Sequence, residues 1–236
     1  MKRESVLLQI RQLNKNVISI SDIYNEMFSG LMSELAFFKS IERLTKTGEL
    51  TKISKGIYGI STKSKYGIIA PSENEILSAY IGKLKGVEIG YRLYNSLNIT
   101  TQISKQIKVY SNVISGDIKR IKNIEIKKVN LAFSSEECEM IKYIEVLSNF
   151  ESIQDINRQQ FIIAMNTFAK SYNNEVANKV IEALNYKKRT VAFMRDVLDY
   201  YKVENDLSKH LSCYSEYKYP KMVGIYESAQ RLQKRV

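Results

Sequence analysis

The residues able to do chemistry in this chain are few and scattered. The run "IKNIEIKKVN", residues 121–130, holds Glu125 and Lys127 two apart, and Asp117 lies just upstream. An acid followed by a strand with Glu and Lys on one face is the loose pattern of metal-dependent nuclease cores. There carboxylates hold a divalent cation and the lysine supports the attacking water. The same alternation, with Ile124 and Ile126 turned inward, describes an ordinary half-buried strand, and that reading is preferred. His210, the only histidine, stands with Leu207 and Leu211 as a packed residue would. Cys138 and Cys213 are too few for a disulfide framework or a four-ligand zinc site, and read as buried small residues in a reducing compartment. No glycine-rich phosphate loop, paired-carboxylate site or zinc spacing occurs. No catalytic residue, metal or cofactor is therefore expected.

Basic residues carry the stronger signal. The net charge is +11 over 236 residues, and it is unevenly spread. Residues 1–70 hold 11 basic and 6 acidic side chains, residues 71–130 hold 10 and 5, and residues 131–236 hold 15 and 14. A uniformly lysine-rich surface would spread the excess. Its concentration in the first 130 residues points to one part facing a polyanion. Two adjacent stretches gather the groups that nucleic-acid recognition uses. Ser33, Lys39, Ser40, Arg43 and Lys46 form the first, and Lys52, Ser54, Lys55 and Tyr58 the second. Lys39 and Arg43 are the candidates for base edges, the second stretch for phosphates.

The elements that must position them follow from periodicity. Val6, Leu7, Ile10 and Leu13 mark a helix over 3–14. "VISISDIYNEMF" gives a short extended piece and a second helix, with Ser21 as N-cap. A third helix starts at a Ser33 cap, sets Phe37, Ile41 and Leu44 at i, i+4, i+7, and ends before Gly48. Strands at Glu49–Ser54 and Gly56–Ser61 then meet at Lys55-Gly56. This is the element order of a winged helix-turn-helix, with the third helix as reader and the hairpin as wing. Residues 71–130 look mixed α/β: a Ser72-capped helix, then a short strand or turn, another helix, and alternating stretches at 104–112 and 121–130. From Ser134 the pattern is helical, with helices expected at 135–148, 157–171, 174–185, 188–201, 205–213 and 222–234. Lys187–Arg189 reads either as a second phosphate contact or as the charged start of one of these helices, and the helix start is preferred.

"IERLTKTGELTKISKGIYGI", residues 41–60, resembles the N-terminal winged helix of the AbiEi-type antitoxins of abortive-infection type IV toxin–antitoxin systems. The matching positions are Arg43-Leu44, Gly48, Leu50 and Lys55-Gly56-Ile57-Tyr58. "PSENEILSAYI", residues 71–81, and "YRLYNSLNITTQISKQIKVYSN", residues 91–112, look like that group's middle segment. The resemblance covers residues 1 to about 130. It implies a winged helix that binds inverted repeats at its own promoter, and a C-terminal part that counteracts a nucleotidyltransferase-like toxin without requiring a stable complex with it.

The expected protein is thus α+β and mostly helical. It comprises a winged helix-turn-helix at 1–66, a mixed α/β segment at 67–133 and a helical domain at 134–236. The expected function is a cytoplasmic DNA-binding autorepressor and antitoxin, with duplex DNA and the toxin as partners and no membrane association. No run of about 18 apolar residues is present to span a bilayer. A winged-helix regulator with a sensing or dimerising helical domain is the alternative, and a nuclease using Asp117, Glu125 and Lys127 the remote one.

Overall fold

The computed structural model describes residues 3–65, 67–114 and 116–233. It is an α+β chain, mostly helical, that divides into two compact units, Met1–Gly82 and Lys83–Val236. Three parts with boundaries after 66 and 133 had been expected. The helix after Pro71 instead joins the first unit, and the mixed segment joins the helices.

Unit 1 begins with α1 (Arg3–Gln12), β1 (Val17–Ser19) and α2 (Ile20–Ile23), which runs into one π-helical turn over Tyr24–Phe28. Then come α3 (Glu34–Lys46), β2 (Leu50–Ser54), β3 (Ile57–Ile60), a small hairpin of β4 (Thr62–Ser64) and β5 (Gly67–Ile69), and α4 (Glu73–Ile81). Strands β1, β3 and β2 form an antiparallel sheet in that spatial order. The apolar stripe of α3, Phe37, Ile41 and Leu44, is buried with Val6 and Ile10 of α1 and with Ile20, Ile23 and Phe28.

The joint between α3 and β2 is tightly specified. Gly48 has φ +75°, and Glu49 N–H donates to the Leu44 carbonyl while Gly48 N–H donates to that of Thr45. That pair of bonds is a Schellman closure, which a left-handed glycine permits. Ser21 does not cap α2. The helix starts two residues earlier than that cap implies, at Ile20 after Ser19, and the Ile20 N–H donates to the Gly56 carbonyl at the hairpin turn, 2.9 Å. Gly59 in the central strand lies under Pro71, and a Cβ there would fall 2.2 Å from Pro71 Cγ. On α4, Ser72 and Glu75 form a reciprocal capping box, and Glu75 also accepts from the Asn16 amide.

Unit 2 opens with β6 (Gly86–Ile89), α5 (Tyr91–Ser96), β7 (Ile107–Ser111), β8 (Ile118–Ile121) and β9 (Ile124–Lys128). The sheet order is β6-β7-β9-β8, with β7 and β9 parallel and the other pairs antiparallel. The expected single strand over 121–130 is really the end of β8, a turn through Lys122 at φ +52°, and β9. Helices α6 (Ser135–Asn149), α7 (Arg158–Lys170), α8 (Asn174–Leu184), α9 (Lys188–Tyr200) and α10 (Met222–Gln233) complete the unit. Position 234 of the expected last helix lies outside the described residues. The stretch expected as a helix over 205–213 is one 3₁₀ turn, Leu207–His210.

Strand and helix do not separate at 133 because they share one core. Val87 and Ile89 of β6 are buried with Ile141 and Ile144 of α6. The loop after α5 is also tied to the turn before α7, where Thr100 Oγ1 donates to the Gln154 carbonyl and Asn157 N–H to that of Ile99, both 2.7 Å.

Candidate nucleic-acid interface

Burying Phe37, Ile41 and Leu44 fixes which side of α3 faces out. With 100° per residue, Leu35, Lys39, Glu42, Arg43 and Lys46 fall on the opposite side. All five are exposed. Ser33 Oγ accepts from Ala36 N–H at 3.4 Å, so Ser33 is the N-cap, and Ser40 Oγ donates to the Ala36 carbonyl at 3.0 Å. Both hydroxyls are therefore engaged with their own helix. Lys46 Nζ sits 2.8 Å from Glu42 Oε1, whereas the side chains of Lys39 and Arg43 form no ion pair among the described residues. Hydrogen bonding from Lys46, with the charges of Lys46, Arg43 and Lys39, holds the Glu42 carboxyl below the usual carboxylate range. The outward face is thus cationic with one acid set among its cations.

The hairpin behind α3 offers Lys52 and Lys55, both exposed, the second at the tip. The turn is tight because Ser54 pairs with Ile57, and Gly56 takes φ +75°. Ser54 does not join them. Its hydroxyl is buried against the Tyr80 phenol of α4, which burial pushes above its usual pKa. Tyr58 lies in the central strand between Ile18 and Lys52, with its ring partly packed on the core. Of the nine candidate residues, Lys39, Arg43, Lys46, Lys52 and Lys55 form the exposed cationic set. Ser33 and Ser40 shape the helix, and Ser54 and Tyr58 shape the sheet.

Leu35, 68% exposed, was not singled out from sequence. Its signal was there: it is an apolar residue outside the i, i+4, i+7 stripe. Arg11, also missed, donates from its guanidinium to Glu49 Oε2 at 3.1 Å and ties α1 to the start of β2.

The other residues that invited chemistry fall in unit 2. Arg120 Nε donates to Glu125 Oε2 at 2.9 Å, while Ile124 and Ile126 are buried as the alternation required. No group of three acid, Cys or His side chains able to hold a metal occurs among the described residues. His210 Nε2 lies 2.7 Å from Asn178 Oδ1, and the Asn178 amide donates to Asp206. Cys138 is half-buried, and burial raises its thiol pKa, but Cys213 is exposed rather than packed. No described helix is long and apolar enough to cross a membrane. Compared with known families and with curated proteins, the chain matches no family model and no curated protein.

Proposed function

We propose that unit 1 is a winged helix-turn-helix that binds duplex DNA, and that the chain is a transcriptional autorepressor acting as the antitoxin of a type IV toxin–antitoxin system. The observation that carries the DNA reading is the outward row of Lys39, Arg43 and Lys46 on α3, beside a hairpin bearing Lys52 and Lys55. The strand order β1-β3-β2, with α2 and α3 between β1 and β2, fits the same architecture. In that arrangement α3 enters a major groove. Arg43 forks onto the O6 and N7 of a guanine, Leu35 meets a thymine methyl, and the hairpin lysines lie along the phosphates. The antitoxin half rests on the motif resemblance of residues 41–60, 71–81 and 91–112.

The DNA reading is tested with duplex from upstream of the protein's own gene and a random duplex of equal length. Replacing Lys52 and Lys55 together by alanine weakens binding to both and lowers the slope of log affinity against log salt by about two units. An unchanged slope removes the hairpin from the DNA backbone. For the antitoxin half, co-expression with a nucleotidyltransferase-like enzyme encoded beside the gene restores growth, and failure to restore it leaves a plain regulator. That second reading, a regulator with a sensing second unit, is favoured by a cleft in unit 2.

A further inference from the structure

In unit 2 a cleft of about 360 Å³ opens between one face of the β7–β9 pair, the C-terminal half of α6 and the turn joining α8 to α9. Its volume falls in the range of small-molecule sites. At depth stands Glu145, 5% exposed. Its Oε1 accepts from Tyr110 OH at 3.0 Å and from Tyr186 OH at 2.9 Å. Its Oε2 receives one N–H of the Asn149 amide at 3.3 Å, while the Asn149 Nδ2 also donates to the Glu145 carbonyl at 2.9 Å. No cation forms an ion pair with Glu145 among the described residues. A buried carboxylate oxygen with a single long bond has acceptor capacity left over in a low dielectric, where unmet capacity is costly.

The mouth has the opposite character. Lys108, Lys127 and Lys187 line the cleft, are exposed, and form no ion pair among the described residues. The other carboxylate of the cleft, Glu125, is held by Arg120. Three like charges gathered at one mouth repel one another, and an incoming anion reduces that repulsion. The side chains of Tyr94, Tyr110 and Tyr186 also line the cleft, and Lys127 Nζ sits 5.8 Å from the Tyr110 centroid.

We propose that this cleft binds a nucleoside monophosphate, with the base donating an N–H to Glu145 Oε2 and the phosphate held by Lys108, Lys127 and Lys187. The donor edge and aromatic ring of the base, with the anionic phosphate, match the buried acid, the tyrosines and the lysines that line the cleft. Inorganic phosphate satisfies only the mouth, and a nucleoside only the floor and rings. The proposal goes beyond the DNA reading, lies wholly within unit 2, and is tested without DNA.

The experiment is calorimetric titration of the full chain with the four nucleoside monophosphates, their nucleosides and inorganic phosphate. At least one monophosphate binds about tenfold or more tightly than its nucleoside and than phosphate, a tenfold step being about 1.4 kcal/mol. Glu145→Gln weakens that monophosphate about tenfold and leaves phosphate unchanged. The fold-neutral surface variant Lys108→Ala/Lys127→Ala/Lys187→Ala weakens monophosphate and phosphate together. Phosphate binding as tightly as every monophosphate, no binding at millimolar ligand, or a Glu145→Gln affinity equal to wild type on a folded protein each overturns the proposal.

Discussion

The two units differ in how they use cations that form no ion pair among the described residues. In unit 1, Lys39, Arg43, Lys52 and Lys55 are strung along one helix and one hairpin, so the cations form a row. In unit 2, Lys108, Lys127 and Lys187 come from two strands and a helix–helix turn and converge above one buried acid. A row of charges suits a polymer whose phosphates repeat, while convergence suits one small anion. The two carboxyls within these arrays are displaced in opposite directions. Glu42 is pulled down by its lysine partner and neighbouring cations, and Glu145 is pushed up by burial.

The most disruptive way to break the comparison is Phe37→Ala. Phe37 is fully buried, with ring centroids 4.9 Å from Phe28 and 5.4 Å from Tyr24. Truncation at such a site costs about 3–5 kcal/mol, a large share of what a small unit has. DNA binding is lost, while nucleotide binding in unit 2 survives, because the two hydrophobic cores share no residue. Urea unfolding followed beside nucleotide titration checks this. Simultaneous loss of both functions would show that the units depend on each other for stability.

The row was legible in the sequence and the cleft was not. Lys39 to Lys55 span a few turns of chain, and helical period plus one glycine at each turn placed them. The cleft draws on β7, β9, α6 and the α8–α9 turn, and no short-range pattern brings Tyr110, Glu145 and Tyr186 together. From sequence Lys187 reads as the charged start of a helix in preference to a phosphate contact, and it is the N-cap residue of α9, with no side-chain cap bond of its own. The missed β8 turn and the shifted domain boundary have one cause. Register and core sharing depend on partners distant in sequence, whereas caps such as Ser33, Ser72 and Gly48 are local.

Next in size is Arg43→Ala, which sharpens the claim that the row reads bases. A guanine fork contributes about 1–3 kcal/mol of discrimination. Affinity for the upstream duplex falls by that amount, random duplex loses far less, and the melting temperature stays put because Arg43 is exposed and unpaired among the described residues. Equal losses on both duplexes reassign Arg43 to the phosphates.

A smaller effect separates the two acids. Burial raises the Glu145 carboxyl, against hydrogen bonds from Tyr186, Tyr110 and Asn149 and the charge of Lys127. The folded state therefore favours the protonated acid. That contribution is full below the ordinary carboxylate pKa of about 4.3 and is lost as pH rises through the raised value. Glu145→Gln removes the dependence, so the melting temperature of the variant relative to wild type climbs from pH 4 to pH 8. A flat difference across that range would mean that burial does not govern this carboxyl.

Glu42→Gln is the gentlest test, and it asks what an acid does inside a cationic row. Glu42 is exposed, its carboxylate is held by Lys46 at 2.8 Å, and Arg43 and Lys39 are near enough to shift its proton affinity. Surface ion pairs of this kind contribute little to stability, so the melting temperature is unchanged. Removing the negative charge frees Lys46 and raises the local positive potential. Affinity for any duplex then rises a few-fold at low salt, and the gain fades as salt screens it. A carboxylate in a major groove can also accept from the cytosine amine. Were Glu42 used that way, binding to the upstream duplex would fall while binding to random duplex rose. Its bond to Lys46 favours the charge-tuning role, so equal gains on the two duplexes are expected, and opposite signs would make Glu42 a reader of cytosine.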